Sequence, residues 1–119
     1  MLRRSFFQLL LGLVAFLGLG AGVQAQSGSY TLSSGTGTGP IAANPGATNV
    51  QVTPTTGTVV VSITYEDGKT RVYTATRDAP VNVTRWRNDH SAYAVESIAI
   101  SYPPQPPGTH DALGRYKIQ

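Results

Sequence analysis

The arrangement in this sequence with the clearest capacity to bind a ligand is Arg85-Trp86-Arg87, a tryptophan between two arginines. An indole face can stack on a sugar ring, and the flanking guanidinium groups can hold an anionic polymer. The segment ends a predicted strand whose valines face the core, so strand alternation places Trp86 on the other face. Tyr73 is predicted on the same surface. Because Trp86 is the single tryptophan of a small core, an inward orientation in which it caps the core is favoured. If Trp86 points outward instead, it forms the predicted binding surface together with Arg85, Arg87 and Tyr73.

The other residues that could do chemistry predict no catalytic or metal site. Asp89-His90 and His110-Asp111 are the neighbouring histidine–carboxylate pairs, and the sequence has no cysteine and no His-x-His or His-Glu-x-x-His spacing. Metal ligands and acid–base catalysis both need such groups to converge. No serine lies in a Gly-x-Ser-x-Gly elbow. We therefore predict a protein that is not an enzyme and needs no cofactor.

The first 25 residues predict a cleavable secretory signal peptide. Arg3 and Arg4 give a positive start, residues 6–19 are almost entirely apolar, and small residues precede a cleavage point between Ala25 and Gln26. The apolar run is shorter than the about 20 residues of a spanning helix, and retention as an uncleaved anchor is the alternative. We expect a secreted or periplasmic protein with no stable membrane anchor after cleavage. The absence of cysteine in a small exported chain favours a bacterial source.

Without the signal peptide, the composition predicts a β protein of low net charge. The processed chain has seven basic and six acidic residues, so the formal charge falls from +3 to +1. A nucleic-acid binder keeps a concentrated basic face, and we therefore expect no nucleic-acid partner. The remaining large aliphatic residues are nine valines, five isoleucines and two leucines. Because β-branched side chains suit a pleated surface, the processed chain is predicted to be all-β.

A β-hairpin is the central predicted element. Residues 58–65 and 69–76 alternate apolar and polar side chains across Asp67-Gly68, a dipeptide typical of a two-residue type I′ turn. In that register Glu66 pairs with Lys69 as an exposed ion pair. The core face would carry Val59, Val61, Ile63, Tyr65 and Val72, and the outer face Ser62, Thr64, Arg71 and Tyr73.

Two further strands are predicted over residues 81–86 and 91–102. In the second of them the apolar parity changes at Glu96-Ser97, which predicts a β-bulge or bend there, because strand side chains alternate with a period of two. Four prolines between residues 103 and 107 then end the sheet.

These elements predict a small antiparallel β-sandwich-like domain over residues 47–102. A flexible neutral Ser/Thr/Gly-rich spacer is predicted over residues 26–46. The Pro-rich segment and tail, residues 103–119, either add a short edge strand or dangle. Because so short a sheet buries little surface, either these flanking segments complete it or another chain does.

The predicted function is that of a non-enzymatic module. It would act through surface contacts with an envelope polymer, a glycan or a cell-envelope protein. The alternative is a structural subunit that self-associates by β-strand addition, because residues 47–53 and 58–65 are uncharged, and 58–65 are also free of proline.

Overall fold

The computed structural model describes residues 25–119; residues 1–24, with nearly all of the predicted signal peptide, lie outside the described residues. The described chain is all-β. Among residues 25–119 no helix is long and apolar enough to cross a membrane. The strands are β1 (Gln26–Leu32), β2 (Ile41–Ala42), β3 (Asn49–Thr56), β4 (Val59–Tyr65), β5 (Thr70–Ala75), β6 (Val81–Thr84), β7 (Val95–Ser101) and β8 (Ala112–Ile118).

The strands form two antiparallel four-stranded sheets, which confirms the predicted β-sandwich-like fold. Sheet A has the order β1-β8-β3-β6, and sheet B has the order β2-β7-β4-β5. The core takes alternate side chains of both sheets, as expected for two sheets packed face to face. Its largest fully buried side chains are Tyr65, Ile63, Ile98, Ile100, Ile118, Val50, Val52, Val59 and Val61.

The segments that flank the predicted domain complete sheet A. β1 pairs with β8 along its whole length, from Gln26 opposite Ile118 to Leu32 opposite Ala112. Residues 26–46 therefore contain β1 and β2, where composition predicts a flexible spacer. The tail is a central strand rather than an edge strand, because β8 lies between β1 and β3. β8 is paired on both sides and β1 on one, and Leu32 is buried in the core.

The hairpin of β4 and β5 is present, but its predicted register is wrong by one residue. The Tyr65 amide donates to the Lys69 carbonyl at 2.9 Å, and the Gly68 amide donates to the Tyr65 carbonyl at 2.8 Å. Gly68 has φ +83°, in the left-handed region. The loop is therefore three residues long, Glu66-Asp67-Gly68, a type I turn followed by a left-handed glycine.

This shift reverses the faces of β5, because a slip of one residue exchanges every side chain between the two sides of a sheet. Val72, predicted in the core, is 63% exposed. Tyr73, predicted on the outer face, is half-buried and packs against the core. The predicted ion pair of Glu66 with Lys69 is also wrong, since Glu66 pairs with Arg87.

The predicted bulge in β7 is confirmed. Thr64 of β4 faces Ser97, but the next residue, Tyr65, faces Val95, so Glu96 is an extra residue on β7. Because of this extra residue, the apolar side chains after the bulge point into the core, as those before it do. The third strand is shorter than predicted, because β6 ends at Thr84 and Trp86 forms only an isolated bridge with Ala92.

Candidate functional site

A groove of about 440 Å³ brings together the four residues predicted as a binding surface. It lies at the side of the sandwich where β5, the edge of sheet B, approaches β6, the edge of sheet A. The loop that follows β6 forms its floor and rim. We call it the Trp86 groove, and its lining residues are Arg71, Tyr73, Thr84, Arg85, Trp86, Arg87, Asn88 and Tyr93.

Two ion pairs hold the arginines of the groove against the hairpin turn. Arg85 donates two parallel hydrogen bonds to the Asp67 carboxylate, at 3.1 and 3.0 Å. Arg87 donates to Glu66 Oε2 at 2.8 Å, and the same oxygen accepts a hydrogen bond from the Ala94 amide at 2.7 Å. The forked geometry of arginine suits such bidentate contacts. Both ends of the loop after β6 are thus tied to the turn between β4 and β5.

Tyr93 is the aromatic support beneath the two arginines. The Arg85 and Arg87 guanidinium carbons lie 3.8 and 4.1 Å from the centre of the Tyr93 ring. Tyr65, buried in the core, meets Tyr93 edge to face, with ring centres 6.4 Å apart. A cation over an aromatic face is attracted by the ring quadrupole, so the ring adds to the ion pairs in fixing both guanidinium groups.

The ion pairs keep all four groups charged. The hydrogen bond from the Ala94 amide, with the bond from Arg87, lowers the pKa of Glu66, and the bonds from Arg85 lower the pKa of Asp67. The same bonds raise the pKa values of both arginines. The charge of each arginine is therefore matched by a carboxylate, and neither is free to act as an unpaired cation toward a ligand.

Trp86 points outward, with 64% of its surface exposed. The reason lies in its neighbours: Arg85 and Arg87, one residue away on each side, are both held by the hairpin turn. In an extended segment the residue between two such side chains points the other way. The inward orientation favoured by the sequence, in which Trp86 caps the core, is thus wrong.

Arg71 is the lining cation without a carboxylate partner. Within residues 25–119 no Asp or Glu oxygen lies within 4 Å of its guanidinium group, and its side chain is exposed. Asn88 and Thr84 add neutral hydrogen-bonding groups to the lining. The groove thus combines an exposed indole, which can stack, with several polar donors, which can form hydrogen bonds.

The histidine–carboxylate pairs form no comparable centre. In the part of the chain that the structure describes, no three His, Asp or Glu side chains are grouped so that they could hold a metal ion. His90 occupies the left-handed position of the turn after Arg87, with φ 69°, and Asp89 accepts hydrogen bonds from the Ser91 amide and hydroxyl. Both residues shape this turn.

The sequence reasoning missed the supporting residues of the groove. Tyr93 and Asn88 belong to the loop after β6, and their proximity to the hairpin turn depends on how the two sheets pack. A signal was present in the charges: two adjacent acids, Glu66 and Asp67, match two arginines spaced by one residue. Comparison of the chain with protein families, with curated proteins and with solved structures gives no match.

Proposed function

We propose that this chain is an exported, non-enzymatic β-sandwich module that binds a glycan polymer of the cell envelope through the Trp86 groove. The observation that supports it most is the exposure of Trp86 on a loop held by two ion pairs. Export to the periplasm or the medium is the expectation from the predicted signal peptide, and N-terminal sequencing of the exported protein should then begin at Gln26.

An exposed tryptophan on a braced loop is well placed to contact a partner. Large aromatic side chains bury much surface in cores and interfaces, and they dominate binding energies when a partner covers them. Because the loop around Trp86 is already held by Asp67 and Glu66, ordering it on binding costs little further entropy. The groove is therefore suited to a rigid ligand with a flat apolar face, such as a pyranose ring.

The polar lining supports a sugar rather than a purely apolar ligand. Arg71 and Asn88 present donors beside the indole, where the hydroxyl groups of a stacked sugar would lie.

The proposal is tested by titrating the purified protein with chitohexaose and following the fluorescence of Trp86, which is the single tryptophan of the sequence. Sedimentation with purified peptidoglycan sacculi serves as a second assay. Replacing a central interface tryptophan by alanine costs about 2 kcal/mol, or about thirtyfold in Kd. Trp86→Ala should therefore weaken binding to sacculi in the sedimentation assay about thirtyfold, and Trp86→Phe should weaken it less.

Val72→Ala is the matched control, because Val72 is exposed to the same extent as Trp86 but lies outside the groove. It should leave both assays unchanged. Equal losses in the two variants, or none in Trp86→Ala with the fold intact by circular dichroism, would rule out the groove as the glycan site.

Assembly by strand addition remains the second candidate, and the β5 edge is the observation that favours it. β5 pairs only with β4 within the described chain, and Val72 is exposed on it. An open edge strand is a template for another strand. Residues 26–32 are already paired with β8 in the same chain, so strand exchange through them would require β1 to detach. Light scattering over a range of concentrations separates the two candidates: a monomer throughout rejects assembly.

A further inference from the structure

The outer face of sheet A carries a second arrangement, distinct from the Trp86 groove. β8 runs through this face between β1 and β3, and it turns Arg115 and Lys117 outward at alternate positions. Ser29 and Thr53 lie opposite Arg115 on the two neighbouring strands. Ser27 and Gln51 lie opposite Lys117 in the same way. We call the six residues the donor face: Arg115, Lys117, Ser27, Ser29, Gln51 and Thr53.

The donor face has a positive charge that nothing nearby offsets. Within residues 25–119 no carboxylate oxygen lies within 4 Å of Arg115 or Lys117. The outward positions of all four strands are neutral or cationic: Ser27, Ser29 and Thr31 on β1, Leu113, Arg115 and Lys117 on β8, Asn49, Gln51 and Thr53 on β3, and Asn82 and Thr84 on β6. This differs from the Trp86 groove, whose two central arginines are each paired with a carboxylate.

The surface around these cations is concave on both sides of Arg115. One depression, of about 360 Å³, is lined by Gln51, Thr53 and Lys117 among others. The other, of about 370 Å³, opens over Ser27 and Ser29. Side chains two residues apart in a strand are about 7 Å apart, so the two cations form a short row along β8. A row of cations flanked by hydroxyl and amide groups fits a chain that carries repeated acidic groups and hydroxyls.

We propose that the donor face binds a linear acidic polysaccharide lying along β8. The face does not suit a membrane surface, because its one exposed large apolar residue is Leu113. Two cations are also fewer than a nucleic-acid backbone requires for stable binding at physiological salt. A polysaccharide takes part of its binding energy from neutral hydroxyl contacts, which Ser27, Ser29 and Thr53 offer in two rows beside the cations.

The test measures binding of fluorescently labelled polygalacturonate to the purified protein at low and physiological salt. The variant is Arg115→Gln with Lys117→Gln, and the control is Lys69→Gln with Arg77→Gln. The control removes the same charge from exposed positions elsewhere. Binding by the first variant should weaken about tenfold or more with a smaller salt dependence, because two cations in direct contact with the polymer are lost. The control should stay within about twofold of the parent protein, because its charges act only at long range.

Three outcomes would overturn the proposal. The first is an equal loss in both double variants, which would mean attraction by net charge alone. The second is no loss in the Arg115 and Lys117 variant while circular dichroism shows an unchanged fold. The third is tighter binding to duplex DNA or to vesicles of anionic lipid than to polygalacturonate. Trp86→Ala should leave polygalacturonate binding intact, so this result is independent of the proposed role of the Trp86 groove.

Discussion

Replacing Gly114 by alanine should destabilise the protein, because Gly114 lies where β1 and β8, the first and last described strands, pair. It faces Tyr30 across β1 and β8. A Cβ atom at this position would overlap the Tyr30 hydroxyl, lie 2.5 Å from the ring carbon that bears it, and lie 2.8 Å from the Thr53 carbonyl oxygen. Ordinary contacts of a Cβ are 3.4–4 Å. The glycine is needed for this close approach of three strands.

The free-energy cost of Gly114→Ala depends on which of the atoms near the new Cβ can move away. The Thr53 oxygen belongs to the backbone of β3, which is paired with β8 at this point, so it is fixed. Tyr30 is only 5% exposed and would have to leave its place. Overpacking a core costs about 1–3 kcal/mol. Complete expulsion of a tyrosine that buries about 150–250 Å² would cost about 4–6 kcal/mol, which is the upper bound.

Replacing glycine by alanine also restricts the unfolded chain, which returns about 0.4–1 kcal/mol of stability. We therefore expect a net loss of about 1–2 kcal/mol if the core yields around the new methyl group, and of about 3–5 kcal/mol if Tyr30 is expelled. Tm should fall by about 5 °C or more for a domain of this size. Urea and thermal unfolding followed by circular dichroism measure both quantities.

Gly28→Ala is the matched control, because Gly28 faces Tyr116 in the same pair of strands. Its new Cβ would meet only the far end of the Tyr116 side chain, at 2.5–2.8 Å. Tyr116 is half-buried and can rotate toward solvent, so the cost should stay below about 1 kcal/mol. In a Tyr30→Ala background the Gly114 substitution should cost less, because only the contact with the Thr53 carbonyl oxygen then remains. Equal losses at the two glycines, or a stable Gly114→Ala, would refute the reasoning.

Three further results are expected. Burial raises the pKa of Tyr30 from 10.0 to about 12, so the unfolded chain ionises first and stability should fall between pH 10 and about 12; Tyr30→Phe should reduce this slope in alkaline urea titrations. The pKa values of Glu66 and Asp67 lie below their ordinary 4.5 and 3.8, so their ion pairs stabilise the fold above those values and are lost as pH falls through the lowered pKa values. The fluorescence anisotropy of Trp86 should drop in that acidic range. It should not drop in the double variant Glu66→Gln with Asp67→Asn. His90→Gly should raise stability by up to about 1 kcal/mol in urea unfolding, because glycine removes the left-handed strain at φ 69°.

The sequence is sufficient to predict the strands that contain alternating β-branched residues. β4, β6 and β7 follow from their valines and isoleucines, and the bulge at Glu96 follows from the change of parity in β7. These are local signals. The hairpin register cannot be predicted from local sequence, because Asp-Gly fits both a two-residue turn and the end of a three-residue loop with a left-handed glycine. What distinguishes them here is Glu66, whose carboxylate contacts Arg87 and the Ala94 amide, 21 and 28 residues away.

β1 was not predicted, and β8 was predicted only as a possible edge strand, for a different reason. β1 and β8 contain few aliphatic residues, so a search for alternating valine and isoleucine passes over them. Their pairing rests on a reciprocal pattern: Gly28-Ser29-Tyr30 faces Gly114-Arg115-Tyr116 with each tyrosine opposite a glycine. Each ring covers the space above the glycine that faces it. The pattern is visible in the sequence only when the two segments are compared with each other.

Tyr73 lies near Trp86 even though the predicted register of β5 is wrong, because β5 is an edge strand. The shift moved Tyr73 from the outer face to the inner one, and in a central strand this would have buried it between the sheets. At the edge, the sheet that should cover it is incomplete, because β6 ends at Thr84. The next residue, Arg85, pairs with Asp67, and Arg87 pairs with Glu66, so Trp86 between them points outward. The two acids of the hairpin turn thus orient the tryptophan of the groove, whose lining also includes Tyr73.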